Sequence, residues 1–124
     1  MLAARPGSAR KRVLIIEPHA LFAPYFATAI AAGGHDVVGV ETAARPSVLR
    51  RLAPEIVVLN AGYFTSVGRI RTLRSLLPDA RLVVYTRVGD PAWSLLALAV
   101  GADAVIGPRA DEPELLAALA ATSY

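Results

Sequence analysis

Val13-Leu14-Ile15-Ile16 is an unbroken aliphatic run, followed at once by Glu17-Pro18-His19. A strand with one wet face alternates apolar and polar side chains; a strand covered on both faces does not. The run therefore predicts a strand buried on both sides. Ile56-Val57-Val58-Leu59, ending at Asn60, and Leu82-Val83-Val84-Tyr85 repeat the pattern. Shorter runs, Asp36 to Val40 and Ala104-Val105-Ile106, read as two further strands.

Helical patterns fill the gaps. Leu21 to Ala32 is Ala-rich and stops at Gly33-Gly34. Pro46 to Leu52 starts on a proline, which a first helical turn tolerates. Val67 to Leu77 puts Val67, Ile70, Leu73 and Leu77 on one face, and Pro78 stops it. Asp90-Pro91 supplies an N-cap and a first-turn proline for a helix that Gly101 closes. Asp111 and Glu114 have capping-box spacing before a last helix that runs to about Ala121. Five βα units in alternation predict a parallel sheet with helices on both faces, an α/β doubly wound (βα)5 domain.

The 124 residues make one domain by length. We expect residues 1–11 to form a basic tail and residues 12–124 the folded unit, which leaves no room for an effector domain. The chain is 55% hydrophobic and 19% charged. That is a low charged fraction for a surface wet all round, and it points to apolar surface meant for a partner. Cysteine is absent and there are two histidines, His19 and His35. No disulfide, thiol nucleophile or zinc site is expected, and a cytoplasmic location fits. The N-terminal stretch lacks the apolar core of a secretory signal, and no run is long enough for a membrane helix.

Ligands of open parallel sheets bind beyond the carboxyl ends of the strands. The loops there run over Glu17 to Ala20, Asn60 to Ser66, Thr86 to Pro91 and Gly107 to Ala110. At these ends, Val13-Leu14-Ile15-Ile16-Glu17-Pro18-His19-Ala20-Leu21-Phe22, Glu55-Ile56-Val57-Val58-Leu59-Asn60, Val83-Val84-Tyr85-Thr86 and Gly101-Ala102-Asp103-Ala104 each look like segments of one family. Together the chain resembles the receiver domain of bacterial two-component response regulators, from Arg12 to about Ala121. The resemblance implies a flavodoxin-like sheet of strand order 2-1-3-4-5.

It also implies a phosphorylation pocket, and here that pocket is degenerate. Receivers carry an acidic pair after strand one; Glu17 keeps one acid and Pro18 takes the direct-ligand position. The phosphoacceptor aspartate is Asn60, and an amide is neither a phosphoryl acceptor nor a good hard-cation ligand. The lysine after strand five falls at Pro108, with Arg109 next, and the aromatic switch position is Val105. Thr86 alone keeps the hydroxyl that ends strand four. Nucleophile, cation and charge clamp are all damaged, so no catalytic residue, metal or cofactor is expected.

Other constellations are weaker. Glu17-Pro18-His19 followed by Phe22 resembles the Asp-x-His-x-x-Gly loop of cobalamin-binding domains, but the acid is Glu and the glycine is Phe. There is no phosphate-cradling glycine loop. Arg45, Arg50 and Arg51 lie around helix two and Arg69, Arg71 and Arg74 around helix three. We expect these helices on opposite faces of the sheet, which would split the arginines and make nucleic acid an unlikely partner. Tyr63-Phe64 could form a recognition tip or plug the vacant pocket.

Helix four, Pro91 to Val100, has one hydroxyl and no charge. At about 100° per residue, Trp93, Ala97 and Val100 cluster on one side with Leu96 flanking, and Leu95 and Leu98 point the other way. Either phase exposes large apolar side chains. In receivers the face of helix four, strand five and helix five is a common dimer surface. Trp93, Leu95, Leu96, Leu98, Val105, Leu115 and Leu119 are the expected interface, with Leu116 beside them. The leading expectation is a phosphorylation-independent pseudo-receiver that acts as a protein-protein interaction module, as a homodimer or with another protein, in signalling or transcription control. The alternative is a small-molecule sensor that uses the vacated strand-end pocket.

Overall fold

A computed structural model describes residues 10–18, 23–62 and 67–120. The elements are β1 (Arg12–Ile16), α1 (Ala23–Ala32), β2 (Asp36–Glu41), α2 (Pro46–Leu52), β3 (Ile56–Gly62), α3 (Val67–Leu76), β4 (Arg81–Thr86), α4 (Pro91–Val100), β5 (Ala104–Ile106) and α5 (Glu112–Ala120). The five strands form one sheet of order β2-β1-β3-β4-β5, and every pairing is parallel. This is the flavodoxin-like order expected above. Residues 1–9 of the basic tail, His19, Leu21, Phe22, Tyr63-Phe64 and Ala121 lie outside the described residues.

The aliphatic runs pack on both faces, as their lack of alternation requires. Leu14, Ile16, Val57, Leu59, Leu82 and Val84 point to a front core shared with Leu49 of α2, Ile70 and Leu73 of α3 and Ala97 of α4. Val13, Ile15, Ile56, Val58 and Val83 point to a back core with Phe26, Ala29 and Ile30 of α1 and Leu115 and Leu119 of α5. Phe26 also stands edge-on to Tyr85, with ring centroids 5.3 Å apart.

The front core overturns one expectation: α2 and α3 cover the same face. The reason is the handedness of crossovers. A right-handed β-α-β unit places its helix on the side set by the direction of travel across the sheet. The chain steps outward from β1 to β2, then reverses and moves steadily through β3, β4 and β5. The three helices made on that return journey, α2, α3 and α4, must therefore share a side, opposite α1.

Strand ends also differ from the sequence pattern. β3 runs on through Asn60 to Gly62, with a register irregularity between Asn60 and Gly62 where it meets β4. β2 and β4 are likewise longer, reaching Glu41 and Thr86. The sequence pattern stops at the last apolar residue, whereas the ladder continues as long as the neighbouring strand offers partners.

Candidate functional site: the carboxyl ends of the strands

Glu17 follows β1, and its N–H donates to Glu41 O at 2.8 Å, so the backbone there is fixed to β2. Glu17 as a whole is 1% exposed. On the adjacent strand Asn60 is buried as well, and its Nδ2 donates a hydrogen bond to Glu17 Oε2. Asn60 Oδ1 accepts from Gly62 N at 3.0 Å. Gly62 has φ of 61°, left-handed backbone that costs glycine little. Its carbonyl then accepts from Arg87 N at 3.0 Å and from Thr86 Oγ1 at 3.4 Å. Thr86 Oγ1 in turn accepts from Val88 N at 3.0 Å. Three strand ends are thus joined through Glu17, Asn60, Gly62 and Thr86 in one run of hydrogen bonds. Among the described residues no buried side-chain nitrogen or oxygen lacks a partner, as burial of polar groups demands.

The structure brings Glu17 against Asn60 and Thr86 against the end of β3. The other expected pocket residues are surface groups. Pro18 is exposed just after Glu17; Pro108 and Arg109 are exposed on a turn closed by Ala110 N donating to Gly107 O at 3.1 Å. Among the described residues, no three His, Asp or Glu side chains come together to hold a metal ion. Gly62 and Val88 take part through backbone groups, which residue types in a sequence do not announce.

The α4 surface is set by its phase on the sheet. Asp90 caps it, accepting from Ala92 N at 2.9 Å. Ala97 is fully buried, and Trp93 and Val100 pack beside it on the front core. That leaves Leu95 67%, Leu96 54% and Leu98 42% exposed. Val105 is half-buried against the front core. Two expected interface residues are corrected. Leu115 and Leu119 are 2% and 3% exposed and belong to the back core. α1 alone cannot cover the whole back of a five-stranded sheet, so α5 turns its Leu115–Leu119 stripe inward, and Leu116 packs partly against the same core.

No family model matches the sequence, and no curated protein matches it significantly. Solved structures do match. A two-component response regulator of the LuxR family from Aurantimonas sp. SI85-9A1 superposes with a TM-score of 0.77 at 22% identity, over 87% of this chain and 81% of that one. The isolated REC domain of RcsB from Salmonella enterica serovar Typhimurium, determined with the phosphomimetic BeF3−, gives 0.73 at 15% identity, over 86% and 83%. A protein of Burkholderia pseudomallei K96243, named for a suggested relation to pilus assembly, gives 0.72 at 17% identity, over 96% and 92%. With the strand order, the two-sided core and these superpositions together, the chain has the fold of a response-regulator receiver domain.

Proposed function

We propose that this chain is a pseudo-receiver: a regulatory module of signalling or transcription control that works by protein contact and without aspartyl phosphorylation. The observation that carries the reading is the buried hydrogen bond between Asn60 and Glu17. A receiver of the phosphorylated kind needs a carboxylate nucleophile and a cation at this place. Here an amide occupies the nucleophile's position and donates to the acid that would otherwise face the cation. Thr86 is buried beneath the strand ends, and the exposed Pro108 and Arg109 stand where the resemblance would put a phosphate-clamping lysine. The reading assigns no catalysis, cofactor or metal to the chain.

Contact with a partner falls to α4, where Leu95, Leu96 and Leu98 stand exposed on a helix without charge. Trp93 and Val105 support it from beneath. Fully burying one leucine is worth about 1.5–3 kcal/mol, so the three supply a large part of a specific contact.

The test is an intact-mass measurement on freshly purified protein incubated with acetyl phosphate and Mg²⁺. The expected mass is unchanged. A stoichiometric, base-labile gain of about 80 Da, one transferred phosphoryl group, would overturn the reading. Fresh protein is specified because deamidation of Asn60 would itself supply an acceptor.

A further inference from the structure

We propose that the partner of this surface is an acidic amphipathic helix of another protein, lying along the ridge formed by α3 and α4. The inference rests on the interaction reading above and adds the chemistry of the partner. Three observations carry it. First, α2, α3 and α4 share the front face, and none of them contains a single Asp or Glu. Second, Arg50 and Arg51 of α2 and Arg69 and Arg71 of α3 are exposed on that face, and among the described residues no ion pair engages them. Third, basic and apolar groups adjoin. Arg74 reaches from α3 to Gly101 O at the end of α4, at 2.9 Å, which identifies the flank of α3 that faces α4. Arg71, three residues earlier, lies on the same flank. Arg74 is neutralised by Asp103 at 2.6 Å, whereas Arg71 is exposed and, among the described residues, no ion pair engages it.

On α4, Leu95 lies at the crest opposite Ala97, with Leu96 and Leu98 on either side. A ligand helix with apolar residues at i, i+3 and i+4 matches the leucines, and a carboxylate on its flank matches Arg71. A second copy of this chain is disfavoured, because an isologous contact would set a helix face with arginines and no acid against the same face. Nucleic acid explains the arginines but leaves three exposed leucines without a role.

The experiment uses the full chain and two fluorescein-labelled helical peptides of about 18 residues, one with a leucine face flanked by Glu, the other with Lys at every Glu. The acidic peptide should bind about tenfold more tightly at low salt, and the advantage should shrink as salt rises. Arg71→Glu and Leu95→Asp should each weaken it by about tenfold or more, with unchanged circular dichroism. Equal binding of both peptides, or of neither, overturns the proposal. So does duplex DNA binding that needs Arg71 but not Leu95, or a wild-type dimer in sedimentation that Leu95→Asp dissociates. None of these outcomes touches the phosphodonor result, so the partner's identity and phosphorylation independence fail separately.

Discussion

Position 60 shows how much one side-chain atom decides. An amide at the end of β3 donates from one side to Glu17 and accepts on the other from Gly62 N–H. A carboxylate there would still accept from Gly62 but would face the Glu17 carboxylate with no proton between them. Two carboxylates at that distance in a buried site cannot both ionise cheaply. Asn60→Asp is therefore expected to destabilise the fold by about 1–3 kcal/mol, the cost of leaving a buried partner unsatisfied. For a domain of this size that is a fall of roughly 4–20 °C in Tm. Millimolar Mg²⁺ should recover part of the loss, because the variant offers the cation two carboxylates, and should leave the wild type unmoved. Differential scanning fluorimetry of both proteins with and without Mg²⁺ checks it; a variant as stable as wild type without metal would mean that Glu17 does not depend on the amide.

At the scale of elements, the tightest joint is where α3, α4, β4 and β5 meet. The Arg74 guanidinium donates to Gly101 O, Leu77 O, Pro78 O and Ala80 O and pairs with Asp103. Asp103 Oδ2 also accepts from Leu82 N at 2.8 Å, and Asp103 N returns a bond to Leu82 O at 2.8 Å. Gly101 is required here: its φ is 136°, and a Cβ would stand 2.7 Å from Arg74 Cβ. Arg74→Met should cost about 2–4 kcal/mol, since several carbonyls lose their donor at once. Arg74→Lys should recover little, because an ammonium lacks the planar fork that spans these acceptors. Urea melts of the three proteins measure this. α5 and α4 give a second contrast. Leu115→Ala should cost about 2–5 kcal/mol as a core truncation, whereas Leu95→Ala should stay within about 0.5 kcal/mol as a surface change.

These elements also mark what the sequence conveys. Local signals were legible: the aliphatic runs, the Asp90 cap and the Gly101 stop follow from residue spacing, whereas the phase of α4 was open until the fold buried Ala97. The strand-end candidates Glu17, Asn60 and Thr86 came instead from the resemblance to receiver domains. The side of the sheet taken by each helix was not legible, because it depends on the direction of travel between strands. That is why α2 and α3 were expected apart and Leu115 and Leu119 outside. In the sequence Arg74 is one of three arginines around helix three and nothing sets it apart, since its acceptors are backbone carbonyls brought together only by the fold.

Over the whole molecule, the sheet separates two cores of different ancestry in the chain. The front core draws its helices from the middle, and the back core draws on α1 and α5, near opposite ends of the described chain. Arg81 Nε of β4 donates to Ala118 O of α5 at 2.7 Å, which ties the sheet to that helix. Deleting residues 111–124 should therefore leave Phe26 and Ile30 uncovered, with loss of cooperative unfolding and gain of dye binding to exposed apolar surface; a truncated chain that still melts sharply would contradict this.

That arrangement also fixes an order of events during synthesis. β1 to β4, with α1, α2 and α3 between them, can associate as soon as they have left the ribosome, but the part of the back core that Leu115 and Leu119 fill must wait for α5. At about 5–20 residues per second, the interval between Ile30 and Leu119 lasts several seconds, during which α1 alone covers that side of the nascent sheet. The α5 side of the back core is thus the last part of the described fold that can become native.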